Sequence, residues 1–374
     1  MNISMRNLVW VMMLILGLMI VNGAWAQSDT KCWSEGELLW SDFKGEPESQ
    51  RKSVLSYYTE SRSGRMSLND TVYNRYLTKV FIDRDLSWIH PEFKTDLYLE
   101  VNQLMFDIVE LYRRRMQYDL DRVYNGYTAQ RKSGEYFDSC NERISSFYNE
   151  SSAGEVEQVV KEWKQVISDE LAVVGDSKRP DFRISKFGYG MHLGIGCGSF
   201  AGSLAKQFGP SFNIIYGFDF SYMKSILFID ATIGFNQIKK EYVFEEGWRK
   251  GQGGTVAILN VSYAYKVFDN GELRLSPFAG FGLTEVGRSN NSPDLETLSM
   301  VDYKYIFGLN ADYPLKRVVN LIPTRSLGRK EFIEAKIRAR LYVSRANFAP
   351  DLKGYSINLS LSMGISGNAI RMMN

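Results

Sequence analysis

The sequence predicts a two-domain chain, in which an N-terminal α+β domain precedes a C-terminal transmembrane antiparallel β-barrel of about eight strands. Apolar and small polar residues alternate without a break from Tyr355 to Ile365, as in a strand with one face in an apolar medium and one in a polar medium. Seven earlier segments repeat this alternation. One of them carries charges on its polar face that a packed soluble core would exclude, namely Glu334, Lys336, Arg338 and Arg340. The alternative is a soluble β-sandwich or lipocalin-like barrel.

The composition further limits the classes of protein to which the chain can belong. The chain has 374 residues and a formal net charge of +2, which gives no large field of one sign to attract nucleic acid. Aromatic residues make up 14% of the chain, a content that suits a barrel with aromatic girdles at both membrane interfaces.

The first 26 residues have the pattern of an export signal. Arg6 supplies the positive charge, Leu8–Val21 is apolar, and Ala24–Ala26 has the small-x-small pattern of a cleavage site. We expect the mature chain to begin near Gln27 and to reach the cell envelope.

The predicted N-terminal domain covers residues 27–174. Strands are expected at 54–59 and 76–82, and helices at about 94–118 and 155–174, where apolar residues recur at helical spacing. The segment 121–149 gives little signal. Residues 175–184, which include Gly175 and Pro180, read as a linker.

Three stretches of this domain resemble a known family. The run Trp40–Gly45 reads W-S-D-F-K-G, and Ser87–Ile89 and Phe106–Tyr112 follow it in order. Together they resemble a bacterial family of unknown function that is regarded as zinc-dependent proteases, with the motifs W-S-D-F-x-G and H-E-x-x-H-F-D-I. The matching residues are Trp40, Asp42, Phe43, Gly45, Trp88, Phe106, Asp107 and Glu110.

The metal motif of that family is lost in this chain. The resemblance places its two histidines on Val101 and Met105 and its catalytic glutamate on Asn102. Two imidazoles at i and i+4 converge on Zn²⁺ while the glutamate acts as base, and none of the three replacements serves that chemistry. The whole chain has 2 His. The resemblance therefore implies a degenerate protease-like domain with no cofactor and no catalytic residues.

The three cysteines give one further expectation. Cys32 and Cys140 both fall in the N-terminal domain, and an oxidising compartment would allow them to pair. Cys197 falls on the apolar face of a barrel strand.

The predicted barrel covers residues 185–374 and resembles small outer-membrane barrels of the Bacteroidetes type. Its strands are expected at 187–199, 211–222, 227–237, 255–267, 273–284, 303–313, 332–345 and 355–365. Nine charges are expected to face the lumen and to pair as a polar plug: Asp219, Asp230, Arg274, Lys304, Asp312, Glu334, Lys336, Arg338 and Arg340. The segment 314–330 is too long for the short turn expected there, which indicates either an extra periplasmic element or an error in the strand count.

These patterns lead to a functional hypothesis. An even number of strands places both ends of the barrel chain, and with them the N-terminal domain, in the periplasm. We expect a non-enzymatic outer-membrane protein whose barrel lies in lipid and whose N-terminal domain binds a protein or peptide of the envelope. The alternatives are a periplasmic hydrolase with a non-zinc or atypical metal site and a small-solute channel.

Overall fold

The computed structural model of the chain describes residues 29–48, 51–123, 125–176, 180–240, 250–288, 299–322 and 329–373. These residues form two compact units. The first unit falls within residues 1–62, 77–120 and 130–177, and the second within 63–76, 121–129 and 178–374. The predicted signal peptide lies outside the described residues, and the domain boundaries drawn from the sequence stay a prediction.

Five strands and three long helices are the main elements of the described chain before residue 177. The strands are β1 (Thr30–Cys32), β2 (Ser53–Val54), β3 (Tyr57–Leu68), β4 (Thr71–Asp83) and β5 (Trp88–Ile89). The helices are α1 (Asp96–Leu120), α2 (Gly126–Glu150) and α3 (Glu157–Val174). Within these residues β1 and β3 pair with β4, and β2 pairs with β5.

Helix α1 forms the centre of the first unit. Its apolar positions recur every three or four residues, so that one stripe is buried, and Leu104, Ile108 and Leu111 are almost completely inaccessible. Val80, Ile82 and Ile89 from the strands and Phe147 and Ile167 from α2 and α3 pack in the same core.

Two of the three long helices agree with the sequence prediction, and α2 was missed. Its sequence is rich in Ser, Asn and Tyr, and its buried positions include the small Ala129 and Cys140, so the apolar stripe is weak. Among the described residues, no helix combines the length and the apolar character that a bilayer crossing requires.

Eight long strands of the second unit pair in a closed ring, within the described residues. They are β6 (Phe182–Gly202), β7 (Ser211–Tyr222), β8 (Ser225–Gln237), β9 (Gly253–Tyr265), β11 (Arg274–Arg288), β12 (Ser299–Asn320), β13 (Glu331–Ala349) and β14 (Leu352–Met372). Each strand pairs antiparallel with the next, and β14 closes the ring on β6. A short helix, α4 (Leu204–Gln207), follows β6, and a short strand, β10 (Phe268–Asp269), precedes β11.

All eight predicted barrel strands are present, and several are longer than expected. The largest difference concerns the segment 314–330, where β12 continues to Asn320 and pairs with β13. Residues 317–320 also pair in parallel with residues 71–74. Residues 314–320 of this segment are therefore part of strand β12 and not of a connection, so the strand end drawn at residue 313 is wrong. Residues 323–328 lie outside the described part of the chain.

The predicted pairing of Cys32 with Cys140 is also wrong, because all three cysteines are free thiols. Cys32 ends β1, where Ser34 Oγ donates a hydrogen bond to its sulfur over 3.3 Å. Cys140 is buried in the core of the first unit, and this burial raises the pKa of its thiol to about 12. Such a thiol is unreactive at neutral pH.

Candidate functional site

The residues that match the protease family lie at structural positions of the first unit. Asp42 is buried, and its Oδ2 accepts hydrogen bonds from Lys31 Nζ over 2.7 Å and from the backbone N–H of Leu39 over 2.8 Å. Its Oδ1 lies 3.0 Å from Arg84 Nε. A Cβ at Gly45 would lie 2.6 Å from the carbonyl oxygen of Asp85, so only glycine fits there without a shift of the backbone.

Two acidic residues of α1 are similarly held inside the unit. Trp33 Nε1–H and Gln103 Nε2–H each donate to Asp107 Oδ1 over 2.8 Å. Burial nevertheless raises the pKa of the Asp107 carboxyl. Glu110 accepts two hydrogen bonds from Arg113 and one from Arg114, and the neighbouring Phe106 is fully buried. Phe43 and Trp88 are also buried, whereas Trp40 packs half-buried at the edge of the core.

The three positions of the lost metal motif are buried on α1. Val101 packs under Gly154, where a Cβ would lie 2.7 Å from the Val101 methyl group and where φ is +87°. Asn102 Nδ2 donates to the carbonyl of Tyr98 over 2.7 Å and to Ser53 Oγ over 3.5 Å, while its Oδ1 has no hydrogen-bond partner among the described residues. Within the described residues, no three His, Cys, Asp or Glu side chains are grouped to hold a metal ion.

The third position, Met105, lines a cleft in the first unit. The cleft has a volume of about 610 Å³ and is bounded by residues 51–55, by Tyr98 and Met105 of α1, and by Ile144 and Tyr148 of α2. Its floor is apolar and its rim is polar. A volume of this size falls within the range of about 300–1,000 Å³ that is usual for ligand sites.

The lumen of the barrel holds the second group of candidate residues, and all nine predicted lumen charges lie on its inner face. Arg338 is fully buried at the centre. Its guanidinium donates to Asp312 over 2.7 and 3.0 Å and to Asp219 over 3.0 Å, and it lies 3.1 Å from His192 Nδ1. Lys336 Nζ lies 3.5 Å from Asp219 and 3.6 Å from Asp312.

A second buried group adjoins the first. Arg340 Nη1 donates to Asp230 over 2.6 Å, and Arg340 Nε donates to Asn310 over 3.1 Å. The guanidinium carbon of Arg340 lies 4.0 Å from the centre of the Phe228 ring, a favourable contact between a cation and an aromatic face. A Cβ at position 217 would lie 2.3 Å from Asp230, so Gly217 provides the space for this group.

The remaining lumen charges are Arg274, Glu334 and Lys304. Arg274 donates two hydrogen bonds to Glu334. Lys304 is buried, yet its Nζ has no hydrogen-bond partner among the described residues. The structure therefore brings eight of the nine charges together in ion pairs and leaves Lys304 apart.

One end of the lumen is closed by apolar side chains. We call the end where β6 begins and β14 finishes the proximal end, and the opposite end distal. At the distal end, α4 and the residues after it place Leu204 and Phe208 in an apolar cluster with Ile238, Val286 and Leu352. We call these five side chains the distal cap. The lumen thus contains both the distal cap and the buried ion pairs.

Sequence reasoning missed several residues of the lumen. His192 falls on the inner face of β6 and lies 3.1 Å from Asp230, but its neighbours Gly190 and Gly194 conceal the polar parity of that strand. Phe228 and Phe278 face inward on strands whose outer residues are also apolar. Leu204 and Phe208 of the distal cap come from a short helix and the residue after it, where no periodic pattern marks them.

The outer surface of the barrel has the opposite character. Every strand of the ring carries exposed apolar side chains on its outer face, and Met363, Phe281 and Leu193 are each more than 60% exposed. Exposed aromatics lie near both ends, with Tyr222, Tyr265 and Tyr313 towards the proximal end and Tyr303 and Tyr355 towards the distal end. A closed ring with an apolar outside, aromatic belts and a polar inside defines a β-barrel of the transmembrane type.

Comparison with known proteins gives similarities to solved barrels alone. No protein-family model matches the chain, and no curated protein matches it. The chain is similar to Neisserial surface protein A, with 11% identity, a TM-score of 0.28 and coverage of 49% of this chain and 97% of that one. It is also similar to Ail of Yersinia pestis, with 9% identity, a TM-score of 0.24 and coverage of 50% and 99%. For the N-terminal β-barrel domain of Pseudomonas aeruginosa OprF, the values are 10%, 0.22, 49% and 99%.

Proposed function

We propose that the chain is an outer-membrane protein whose barrel is a closed anchor and whose first unit is a binding module. The observation that supports a closed anchor is that side chains fill the lumen of the barrel. A solute channel needs a continuous aqueous path, whereas here Arg338 and Arg340 are buried in ion pairs and the distal cap covers one end. An eight-stranded barrel has an interior just wide enough to be filled by side chains.

The first unit is proposed to lie in the periplasm, because the chain enters the barrel at the proximal end. Both ends of an even-stranded barrel lie on the same side, which is periplasmic in barrels of this kind. Strand β8 ends at Gln237 and β9 begins at Gly253, both at the distal end, so a longer stretch of sequence joins them than joins β7 to β8 at the proximal end, in keeping with longer loops on the outer side.

The binding role is proposed from the residues of the protease-family motifs that the first unit retains and from the metal-motif residues that it lacks. Asp42, Gly45 and Glu110, which the resemblance includes, lie at structural positions of the first unit, whereas Val101, Asn102 and Met105 offer neither a metal ligand nor a base. We infer a non-enzymatic, degenerate relative of the proposed protease family, which binds a protein or peptide partner of the envelope. The cleft beside Met105 is the site that we assign to this role.

Two measurements test this proposal. Planar bilayers that contain the purified full chain should show no steady conductance, because the lumen is filled; steady single-channel steps would contradict a closed anchor. In intact cells, an added protease should leave the first unit uncleaved until the outer membrane is permeabilised. Cleavage before permeabilisation would place the unit outside the cell and overturn the periplasmic assignment.

A further inference from the structure

A cavity lies at the proximal mouth of the barrel, beside the ion pairs around Arg338. Lys186 near the start of β6 and Asn368 near the end of β14 form part of its wall, and Lys186 is exposed, so the cavity is open to solvent. Its volume is about 250 Å³, far more than the roughly 15 Å³ that a single water molecule requires. All residues that line it belong to the second unit. The wall includes four carboxylates, those of Asp219, Asp269, Asp312 and Glu334.

Each of these carboxylates already has a cationic partner. Lys336 and Arg338 each contact the two aspartates among them that belong to β7 and β12, over 2.7–3.6 Å. Arg274 forms ion pairs with the other two carboxylates, and Arg317 is a second partner of Glu334. Four cations therefore balance four negative charges.

Two other lysines of the cavity wall have no such partner. Lys186 and Lys266 line the cavity, and neither side chain forms an ion pair or a hydrogen bond within the part of the chain that the structure describes. With these two lysines, six cations face four carboxylates, which leaves a surplus of two positive charges. Lys266 is half-buried, and a charge that is partly removed from water interacts more strongly with a counterion than an exposed charge does.

A buried hydroxyl group without a partner lies next to Lys266. The backbone N–H of Val267 donates to the carbonyl of Leu275 over 3.0 Å, which places positions 266 and 276 beside each other on neighbouring strands. Ser276 lines the cavity and is 1% exposed, and its Oγ has no hydrogen-bond partner among the described residues. A buried hydroxyl group without a hydrogen bond is costly, and an acceptor in the cavity would remove that cost.

We propose that this cavity binds a phosphate group, held by the ammonium groups of Lys186 and Lys266 and by the hydroxyl group of Ser276. Phosphate matches the surplus of positive charge, because it carries up to two negative charges and at least three acceptor oxygens. Lysine provides a compact point charge with three donors, which suits phosphate. Inorganic phosphate and the phosphate monoester of a lipid headgroup share this chemistry. The inference depends on the barrel alone and not on the binding role of the first unit.

Isothermal titration calorimetry of the full chain in micelles of an uncharged detergent tests the site. The first probe is inorganic phosphate at about pH 8, where lysine stays protonated, with sodium chloride holding the ionic strength constant. We expect a dissociation constant on the order of 1 mM or below. The second probe is dihexanoyl phosphatidic acid, after subtraction of its heat of mixing with protein-free micelles. Binding about tenfold tighter than that of inorganic phosphate would assign the group to a lipid headgroup, and equal or weaker binding would assign it to a soluble phosphate.

Three substitutions locate the site. Lys186→Met and Lys266→Met should each weaken phosphate binding by about tenfold, because each removes one of the two surplus charges. Ser276→Ala should weaken it by about threefold and leave the thermal unfolding of the barrel unchanged, since Oγ has no partner among the described residues. Lys353→Met removes an exposed lysine at the distal end and should change the affinity by less than about twofold.

Three results would overturn the proposal. The first is the absence of binding by both phosphate probes. The second is an affinity that Lys353→Met lowers as much as Lys266→Met does, which would indicate a general effect of surface charge. The third is binding of ethylammonium ions in place of phosphate at the same ionic strength, which would show that the carboxylates dominate the cavity.

Discussion

The buried carboxyl group of Asp107 should make the stability of the first unit depend on pH. Both of its hydrogen-bond donors, Trp33 and Gln103, contact the same oxygen, Oδ1. Burial is the largest influence on this group and raises its pKa. A carboxyl whose pKa is higher in the folded than in the unfolded state stabilises the fold below the unfolded pKa, and this contribution is lost as the pH rises through the folded pKa.

Replacement of Asp107 by Asn should therefore stabilise the first unit at neutral pH. The amide oxygen can accept both donors, and the variant removes a charge that burial disfavours. The free energy of unfolding of the variant, relative to that of the native chain, should rise as the pH increases from about 3 to 7. This difference in the free energy of unfolding is measured by urea unfolding of the full chain in detergent. Tryptophan fluorescence follows the unfolding of the first unit, since Trp33, Trp40, Trp88 and Trp163 lie in it. A difference that does not vary with pH would contradict this assignment.

Replacement by methionine should affect the stability of the barrel differently at two lumen cations, Arg338 and Lys304. Arg338→Met leaves the buried carboxylates of Asp219 and Asp312 without their main partner, which should cost about 3–5 kcal/mol of the free energy of unfolding. Lys304→Met removes a buried cation whose Nζ has no hydrogen-bond partner among the described residues, so stability should be unchanged or higher. Unfolding of both variants from the same lipid vesicles measures the difference. A loss at Lys304 equal to that at Arg338 would show that Lys304 has a partner.

At the residue scale, the sequence predicts which face of a strand a side chain lies on better than it predicts which side chains it contacts. Alternation along β13 places Glu334, Lys336, Arg338 and Arg340 inside the barrel, because a strand exposes successive side chains to opposite faces. It does not predict that Arg338 meets Asp219 and Asp312, which belong to β7 and β12. That choice depends on strand register around the closed ring, and no local pattern records the register.

Elements with strong periodicity are the ones that the sequence predicts. The eight barrel strands, α1 and α3 each carry a regular apolar face, and all are present. Helix α2 was missed because small and polar residues occupy much of its inner face. The end of β12 was missed because residues 314–320 begin with proline and read P-L-K-R-V-V-N, which does not alternate between apolar and polar residues.

The extension of β12 leads to a prediction at the element scale. Residues 317–320 pair with β13 on one side and with residues 71–74 on the other, so their amides should exchange slowly with solvent. Hydrogen exchange followed by mass spectrometry should show a peptide over 314–320 protected to the same degree as one over 334–340. The turn at residues 223–224 should exchange fast and serves as the control. Fast exchange over 317–320 would mean that this pairing is not kept in solution.

At the scale of the whole molecule, the sequence defines two units with different surfaces. The first unit buries its apolar side chains around α1, whereas the barrel exposes them on its outer face. An apolar surface of this extent is costly in water but is matched to the hydrocarbon core of a bilayer. The closed ring leaves no unpaired strand edge, which is the condition for strands to lie in lipid.

The central claim is that outward residues of the barrel contact lipid, and spin labels on β14 test it most directly. Labels would be attached at Leu359→Cys, Ser360→Cys, Leu361→Cys and Ser362→Cys in a chain whose three native cysteines are replaced by Ala, reconstituted in vesicles. The side chains of Leu359 and Leu361 are 54% and 55% exposed, whereas those of Ser360 and Ser362 are 6% and 5% exposed.

The labels at 359 and 361 should collide often with oxygen, which concentrates in lipid, and rarely with a water-soluble nickel complex. The labels at 360 and 362 should collide rarely with both reagents, which gives a period of two along the strand. If the labels at 359 and 361 are instead shielded from oxygen as strongly as those at 360 and 362, the apolar faces are packed against protein. The barrel would then not be a membrane anchor.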